Sequence, residues 1–372
     1  MKEMENILIV AGGTGGHLFP GISVAEALCQ LSPNISPMFV ITGRQMEREA
    51  LESKGYGYVI LLSQGIQGLN LISQMKGIVL TCFAFISSIG MLLKIKPKAV
   101  LCMGAYVSVP VAMAAKVLGI KIFVHEQNSI PGLANRFISR FANEIFLSFE
   151  TSLNFFKGFS LSQKSNKFLV VGNPIRSSLR NVKVTPFESR KNCLLVLGGS
   201  QGAKAVNELV IKALSIVNNV KDFSVIHLSG SSHFNFVKEA YESIPIPSTV
   251  YEFRHDMENL YNNATLAISR AGAGSLFELC HFEIPSILIP FPYATNRHQH
   301  VNAQILAQKG ASIVLDQDGL TPELLAHNIQ MLLGDRQRLL SMSHAAKSLA
   351  RPEAATLIAQ EMISRIKRGD TP

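Results

Sequence analysis

The chain has 372 residues, 47% of them hydrophobic and 16% charged, with a formal net charge of +9. That length exceeds what one core usually supports, so two domains are expected, and a composition without long low-complexity tracts excludes a disordered or fibrous chain. The positive balance suits phosphate-rich partners, but no Lys/Arg run interleaves with aromatic residues and Trp is absent, which argues against nucleic acid.

Five scattered cysteines without a CxxC pair fit a reducing compartment rather than a disulfide framework. Glu3 and Glu5 precede only a short apolar run, which is not the pattern of a signal peptide.

Along the chain, short apolar runs alternate with helix-like stretches. Strands are predicted at residues 7–10, 38–42, 99–103, 122–125, 144–147 and 168–171. A second set is predicted at 194–197, 224–228, 250–253, 266–268, 286–289 and 312–314. Such alternation implies parallel sheets covered on both faces. Asn173-Pro174 and the polar stretch to Asn192 suggest a boundary, giving domains 1–172 and 173–349. A C-terminal helix at about 350–372 is expected to pack back on the first.

Each half opens with the same pattern of strand, Gly-rich loop and helix. Gly12-Gly13-Thr14-Gly15-Gly16 follows the first strand, and Gly198-Gly199-Ser200-Gln201-Gly202 follows the seventh. Two Rossmann-like, doubly wound domains facing across a cleft are the expected architecture. Residues 77–93 carry no charge, and Lys76, Lys94, Lys96 and Lys98 flank them. A helix lying on an anionic membrane and a helix buried against a sheet fit that stretch equally well.

Gly-rich turns at helix starts let backbone N–H groups approach a diphosphate. Neither loop is a Walker A motif or a GxGxxG fingerprint, which lowers the ATPase and dehydrogenase readings. His17 ends the first loop and titrates in the range of a general base, although a packing role explains it as simply. Arg270–Glu278 (RAGAGSLFE) opens another helix. Glu278 is placed there either to accept from ribose hydroxyls or to complement the helix dipole. Arg297, His298, Gln299 and His300 form a polar cluster that suits sugar hydroxyls. No third ligand accompanies His298 and His300, so no metal site is expected. Asp316-Gln317-Asp318 reads as a solvated loop.

Seven segments in this order, GGTGGHLFP (12–20), MGAYVSVP (103–110), HEQN (125–128), GNPIR (172–176), GGSQGA (198–203), RAGAGSLFE (270–278) and RHQHVNA (297–303), resemble one family nearly end to end. It is the bacterial UDP-N-acetylglucosamine–lipid I N-acetylglucosaminyltransferases of glycosyltransferase family 28, with the GT-B fold. The resemblance implies an inverting transfer to undecaprenyl-diphosphate muramoyl-pentapeptide, without a cofactor or metal. It also implies a peripheral position on the cytoplasmic membrane face, with other cell-wall synthesis proteins as further partners.

By the same resemblance, Ser200, Ala273, Gly274 and Ser275 meet the donor diphosphate, Glu278 the ribose, and backbone near Arg254 the uracil. His298 and Gln299 read the donor sugar, and Asn128 and Arg176 reach the donor from the cleft. Thr14, Gly15, Gly16 and His17 serve the acceptor diphosphate and the chemistry, with His17 as base or as acceptor orienter. Two positions depart from the pattern: Ala105 stands where a second Gly is usual, and Asn296 where Asp is. The alternatives are transfer to another lipid such as diacylglycerol, a UDP-N-acetylglucosamine epimerase of the same fold, and a non-catalytic sugar-nucleotide sensor.

Overall fold

Parallel strands cannot be joined by a tight hairpin, so each apolar run must be followed by a crossover that returns the chain. The computed structural model describes residues 4–61, 71–156, 167–198, 202–218, 220, 222–254 and 256–368, with backbone alone for 71–79. They form two compact units, Met1–Ser177 with Arg351–Pro372, and Ser178–Ala350.

The first unit holds β1 (Glu5–Val10), β2 (Ile35–Ile41), β3 (Gly57–Ile60), β4 (Ala99–Cys102), β5 (Lys121–Glu126), β6 (Glu144–Leu147) and β7 (Phe168–Val170), ordered β3-β2-β1-β4-β5-β6-β7. The second holds β8 (Cys193–Leu197), β9 (Ser224–Leu228), β10 (Ser248–Tyr251), β11 (Leu266–Ser269), β12 (Ser286–Leu288) and β13 (Ser312–Val314), ordered β10-β9-β8-β11-β12-β13. Every pairing among the described residues is parallel. Each predicted strand has a counterpart. The edge strand β3 was not predicted, because its residues are half-buried or exposed and begin with glycine.

Both faces of each sheet are buried, as parallel sheets require. In β1, Ile7 and Ile9 enter one apolar cluster while Leu8 and Val10 enter another. In β8, Leu194 and Val196 face one side and Leu195 and Leu197 the other. The strand order reverses between β1 and β4 and again between β8 and β11. At such a point the loops leaving adjacent carboxyl ends diverge to opposite faces and open a crevice.

The first unit runs on to Ser177, so residues 173–177 remain with it. Local contacts explain this. His125 Nε2 lies 3.2 Å from the Gly172 carbonyl, and Arg176 stacks over the Phe19 ring at 6.0 Å. The helix Ala354–Arg368 also belongs here, packed on the helix Gly15–Leu31. Ala355, Ile358, Met362 and Ile366 complete the cluster around Ile7, Leu28 and Phe39.

Lys121 Nζ donates to the carbonyls of Arg365 (2.6 Å) and Ile366 (2.8 Å), where a cation complements the helix dipole. Arg365 Nε donates to the buried Glu144 at 2.8 Å.

The helix Leu71–Ile95 buries Ala84, Ser88 and Leu92 on one stripe. Its other stripe exposes Phe83 (68%), Ile86 (66%) and Leu93 (56%). One face of the helix is thus buried against the sheet, as one reading expected, and the other presents large apolar side chains at the surface. Among the described residues no helix is long and apolar enough to cross a membrane.

Burial pushes the Glu144 carboxyl above its ordinary pKa, and Arg365 opposes that shift. Arg365→Met should therefore destabilise the fold by about 1–3 kcal/mol at neutral pH, because it leaves a buried carboxylate unpaired. Protonation removes that charge, so the deficit should shrink as pH falls toward the raised carboxyl pKa. Urea unfolding of both proteins at several pH values measures it.

Candidate functional site

Around the first switch point, β1 leads through Ala11 into Gly12-Gly13, and Thr14 precedes the helix Gly15–Leu31. Gly12 has no room for a side chain, since a Cβ there would come 2.9 Å from the Thr42 backbone nitrogen. The loop is tied down by Glu47, a fully buried carboxylate on the helix Gln45–Glu52. Its oxygens accept from the N–H groups of Gly13 (2.5 Å), Thr42 (3.0 Å), Gly43 (2.9 Å) and Arg44 (3.1 Å), and from the Thr42 hydroxyl. Sequence reading passed over Glu47. The signal was a Thr-Gly end to a strand with Glu at the third position of the following helix.

Thr14 Oγ1 lies 3.1 Å from His17 Nδ1. The other ring nitrogen, Nε2, sits over the loop after β4, where a Cβ on Gly104 would approach it to 3.0 Å. Phe19 lies against Gly15 and carries Arg176 on its ring. The structure thus gathers Thr14, Gly15, Gly16, His17 and Arg176 at the start of one helix. Ala105, next to Gly104, adopts φ +65. This is the left-handed region where glycine is ordinarily found, so the sequence departure falls on a conformation that disfavours it.

The HEQN segment ends β5 beside this loop. His125 is fully buried, and burial pushes its pKa down to about 4. Its Nε2–H donates to the Gly172 carbonyl, while Nδ1 accepts from Gln127 Nε2 at 3.1 Å. Gln127 Nε2 also reaches the Met103 carbonyl at 2.7 Å. Glu126, buried and raised in pKa by that burial, accepts from Asn128 N (2.9 Å), Gly132 N (3.1 Å) and Asn135 Nδ2 (2.8 Å). These residues set the backbone at Asn128, which is itself half-buried.

In the second unit, Arg270-Ala271-Gly272 leaves β11 and leads into the helix Ala273–His281. Ala273, Gly274 and Ser275 form its first turn. Glu278 lies one turn on, and Tyr261 Oη donates to its Oε2 at 2.7 Å. Gln299 and Asn302, from the helix His298–Gln308, hold the Ala271 peptide from both sides. Gln299 Oε1 accepts from Ala271 N (3.3 Å) and Phe291 N (3.0 Å), and Asn302 Nδ2 donates to the Ala271 carbonyl (3.2 Å). The Gln299 carbonyl oxygen is therefore engaged with backbone.

His298 Nδ1 donates to the Thr295 carbonyl at 2.8 Å. Asn296 and Arg297 before it have φ +52 and +55. Arg254 forms a bidentate pair with Asp256 and stacks over Tyr251 at 4.7 Å.

The Asp316–Asp318 loop is more tied than a solvated loop. His300 pairs with Asp316 at 2.9 Å, and Arg270 donates to Gln317 at 2.6 Å. Arg270 also reaches the carbonyls of Ile289 and Pro290. A cavity of about 270 Å³ lies here, lined in part by Arg297, His300, Asp316 and Gln317. Ser200 lies outside the described residues.

The family models for the glycosyltransferase family 28 N-terminal and C-terminal domains match residues 7–147 and 193–358. The chain is similar to proteins named UDP-N-acetylglucosamine–N-acetylmuramyl-(pentapeptide) pyrophosphoryl-undecaprenol N-acetylglucosamine transferase. It is 37% identical to that of Myxococcus xanthus over 358 residues, covering 96% of this chain and 92% of the relative. To that of Methylococcus capsulatus it is 38% identical, covering 96% and 97%. Among solved structures it resembles Acinetobacter baumannii MurG, with TM-score 0.77, 27% identity and coverage of 97% and 99%. A UDP-N-acetylglucosamine 2-epimerase superposes with TM-score 0.69 at 15% identity, covering 100% and 99%, a likeness of fold alone. The two parallel sheets formed by the described residues are those of the GT-B fold.

Replacing Glu47 by Gln would turn an amide NH₂ toward backbone N–H groups that now meet an acceptor. Glu47→Gln should cost about 2–3 kcal/mol of stability by urea unfolding at neutral pH, whereas Gln45→Ala, two residues earlier and exposed on the other side of the helix, should cost little.

Proposed function

The chain belongs to glycosyltransferase family 28, and from that premise we infer that it makes lipid II. It transfers N-acetylglucosamine from UDP-N-acetylglucosamine to the C4 hydroxyl of the muramoyl sugar of lipid I, with inversion. The observation that carries this reading is identity of 37–38% across 96% of the chain with transferases named for that reaction. The first unit would take the acceptor and the membrane, and the second the UDP-sugar.

In the reaction the acceptor C4 oxygen attacks the anomeric carbon as the bond from that carbon to the diphosphate oxygen breaks. The acceptor proton passes to His17, and UDP departs with the bonding pair. His17 suits this role when Thr14 accepts from Nδ1–H, because Nε2 then carries the lone pair. Gly15 and Gly16, at the N-terminal end of the same helix, would receive the acceptor diphosphate. Ser200 and the first turn at Ala273, Gly274 and Ser275 would receive that of the donor. Helix dipoles and the Arg176 guanidinium would stabilise the leaving group in place of a divalent cation.

Glu278, oriented by Tyr261, would accept from the ribose, and backbone near Arg254 would meet the uracil. His298 and the Gln299 amino group would read the sugar hydroxyls.

Labelled UDP-N-acetylglucosamine and lipid I should yield a labelled disaccharide lipid. Product from diacylglycerol instead, or an epimerised donor without acceptor, would overturn the reading. His17→Ala should lower kcat by about 10²–10⁴-fold with UDP affinity kept, the usual range for loss of a general base. The low-pH limb of wild-type kcat/KM, where the imidazole becomes charged, should disappear in this variant. Unchanged kcat with raised acceptor KM would make His17 an acceptor orienter.

The exposed Phe83, Ile86 and Leu93 stripe, with Val117 exposed on the helix Ser108–Val117 packed beside it and Lys94 and Lys116 nearby, supports docking on the cytoplasmic membrane face. The protein should bind anionic vesicles better than neutral ones, and salt should weaken that binding. Phe83→Ser with Ile86→Ser should reduce vesicle binding and leave UDP affinity unchanged. Equal binding by the double variant would rule this face out.

A further inference from the structure

Between the HEQN segment and the first Gly loop, one buried amide holds the peptide against which His17 lies. Gln127 follows the end of β5. Its Nε2 donates to the Met103 carbonyl at 2.7 Å and lies 3.1 Å from His125 Nδ1. His125 Nε2 in turn is 3.2 Å from the Gly172 carbonyl. Met103 and His125 are fully buried, and Gln127 nearly so.

The chemistry of these groups fixes their polarity. Both carbonyls only accept. The Met103 carbonyl therefore takes the amino group of Gln127, and the Gly172 carbonyl takes the proton on His125 Nε2. Nδ1 is then an acceptor and receives the second N–H of Gln127. Burial pushes the His125 pKa down to about 4, with the nearby His17 acting in the same direction, so the ring is neutral and this polarity holds at neutral pH. Turning the Gln127 amide over would set its oxygen against two acceptors. Its Oε1 makes no hydrogen bond among the described residues. An apolar side chain of the same length would fill the space without burying an unpaired acceptor. What the amide contributes is its two N–H groups.

Those groups act on Gly104. Met103 is held at its N–H by the Val10 carbonyl, at 2.9 Å, and at its own carbonyl by Gln127. The Gly104 carbonyl accepts from the hydroxyl of Ser108, which is fully buried. Gly104 is thus fixed through the peptides on both of its sides. It adopts φ +103, and a Cβ there would come 3.0 Å from His17 Nε2 and 3.1 Å from Cδ2. The imidazole therefore rests on Gly104 at one edge, while Thr14 Oγ1 lies 3.1 Å from Nδ1 at the other. A shift of the Met103–Gly104 peptide would move the surface on which Nε2 rests.

We propose that Gln127 is a positioning residue for the proton transfer, holding the Met103 carbonyl so that Gly104 keeps His17 Nε2 at one place and angle. The inference rests on the reading that His17 takes the acceptor proton. Its distinguishing consequence is that Gln127 contributes to turnover only through His17.

A double-mutant cycle on the full chain tests it, with labelled UDP-N-acetylglucosamine and lipid I as substrates and thermal unfolding as the check on folding. Gln127→Met keeps the length of the side chain and removes both donors. It should lower kcat about 10–100-fold, the order expected for a reacting group misplaced by up to about 1 Å, with UDP affinity by isothermal titration unchanged. In the His17→Ala background the same substitution should leave kcat where it is, because a base that is absent cannot be misplaced. If Gln127→Met does not fold, Ser108→Ala loosens Gly104 from its other side. That variant should lower kcat about threefold with His17 present and leave it unchanged in the His17→Ala background. Loss by the same factor in both backgrounds, or wild-type kcat in the folded variants, would overturn the proposal. His17→Ala with wild-type kcat would instead remove the base reading, and the proposal with it.

Discussion

Everything at the candidate site follows from how a parallel sheet must be wound. Each strand needs a crossover, and crossovers on both faces force the strand order to reverse near the middle of the sheet. In each unit that reversal separates two neighbouring loops: those after β1 and β4, and those after β8 and β11. The loops sit above strands such as Ile7–Val10 and Leu194–Leu197, which are buried on both faces and fix the carboxyl ends firmly. A crevice with rigid walls and backbone N–H groups at its rim is then available before any particular chemistry is chosen.

The two units anchor their Gly loops by different means. Behind the first stands a carboxylate, Glu47, whose oxygens gather donors from both β-strand ends. Behind the start of the second stands a neutral amide, Asn207, bonded to His227. The difference bears on charge. A buried acidic side chain near the first loop opposes accumulation of negative charge there. The second loop has no such opposing charge among its described supports. That asymmetry agrees with the proposal that the second unit takes the UDP-sugar.

The apolar runs made the strands legible because a doubly buried strand has no polar face to obscure it. β3 escaped because Gly57, Tyr58 and Ile60 lie at an exposed edge. The Gly loops and Glu278 were legible as local patterns. Their supports were not. Glu47 acts on Gly13 across 34 positions, Tyr261 on Glu278 across 17, and His227 on Asn207 across 20. Each looks like an ordinary residue until the fold brings its partner near. The uncharged stretch 77–93 was ambiguous for a related reason, since a helix whose buried and exposed stripes are both largely apolar reads as uniformly apolar in sequence.

The chain leaves the first unit after Ser177 and returns to it after Ala350. The second unit is thus an insertion within the first, and this inverts the order in which a ribosome can finish them. The inserted sheet has all its strands once Val314 has emerged. The first must wait for Ala355, Ile358, Met362 and Ile366, which cover the apolar face around Ile7 and Leu28. Until those last residues are translated, the earlier-made half exposes that face, and it is the portion of the nascent chain that chaperones would need to shield.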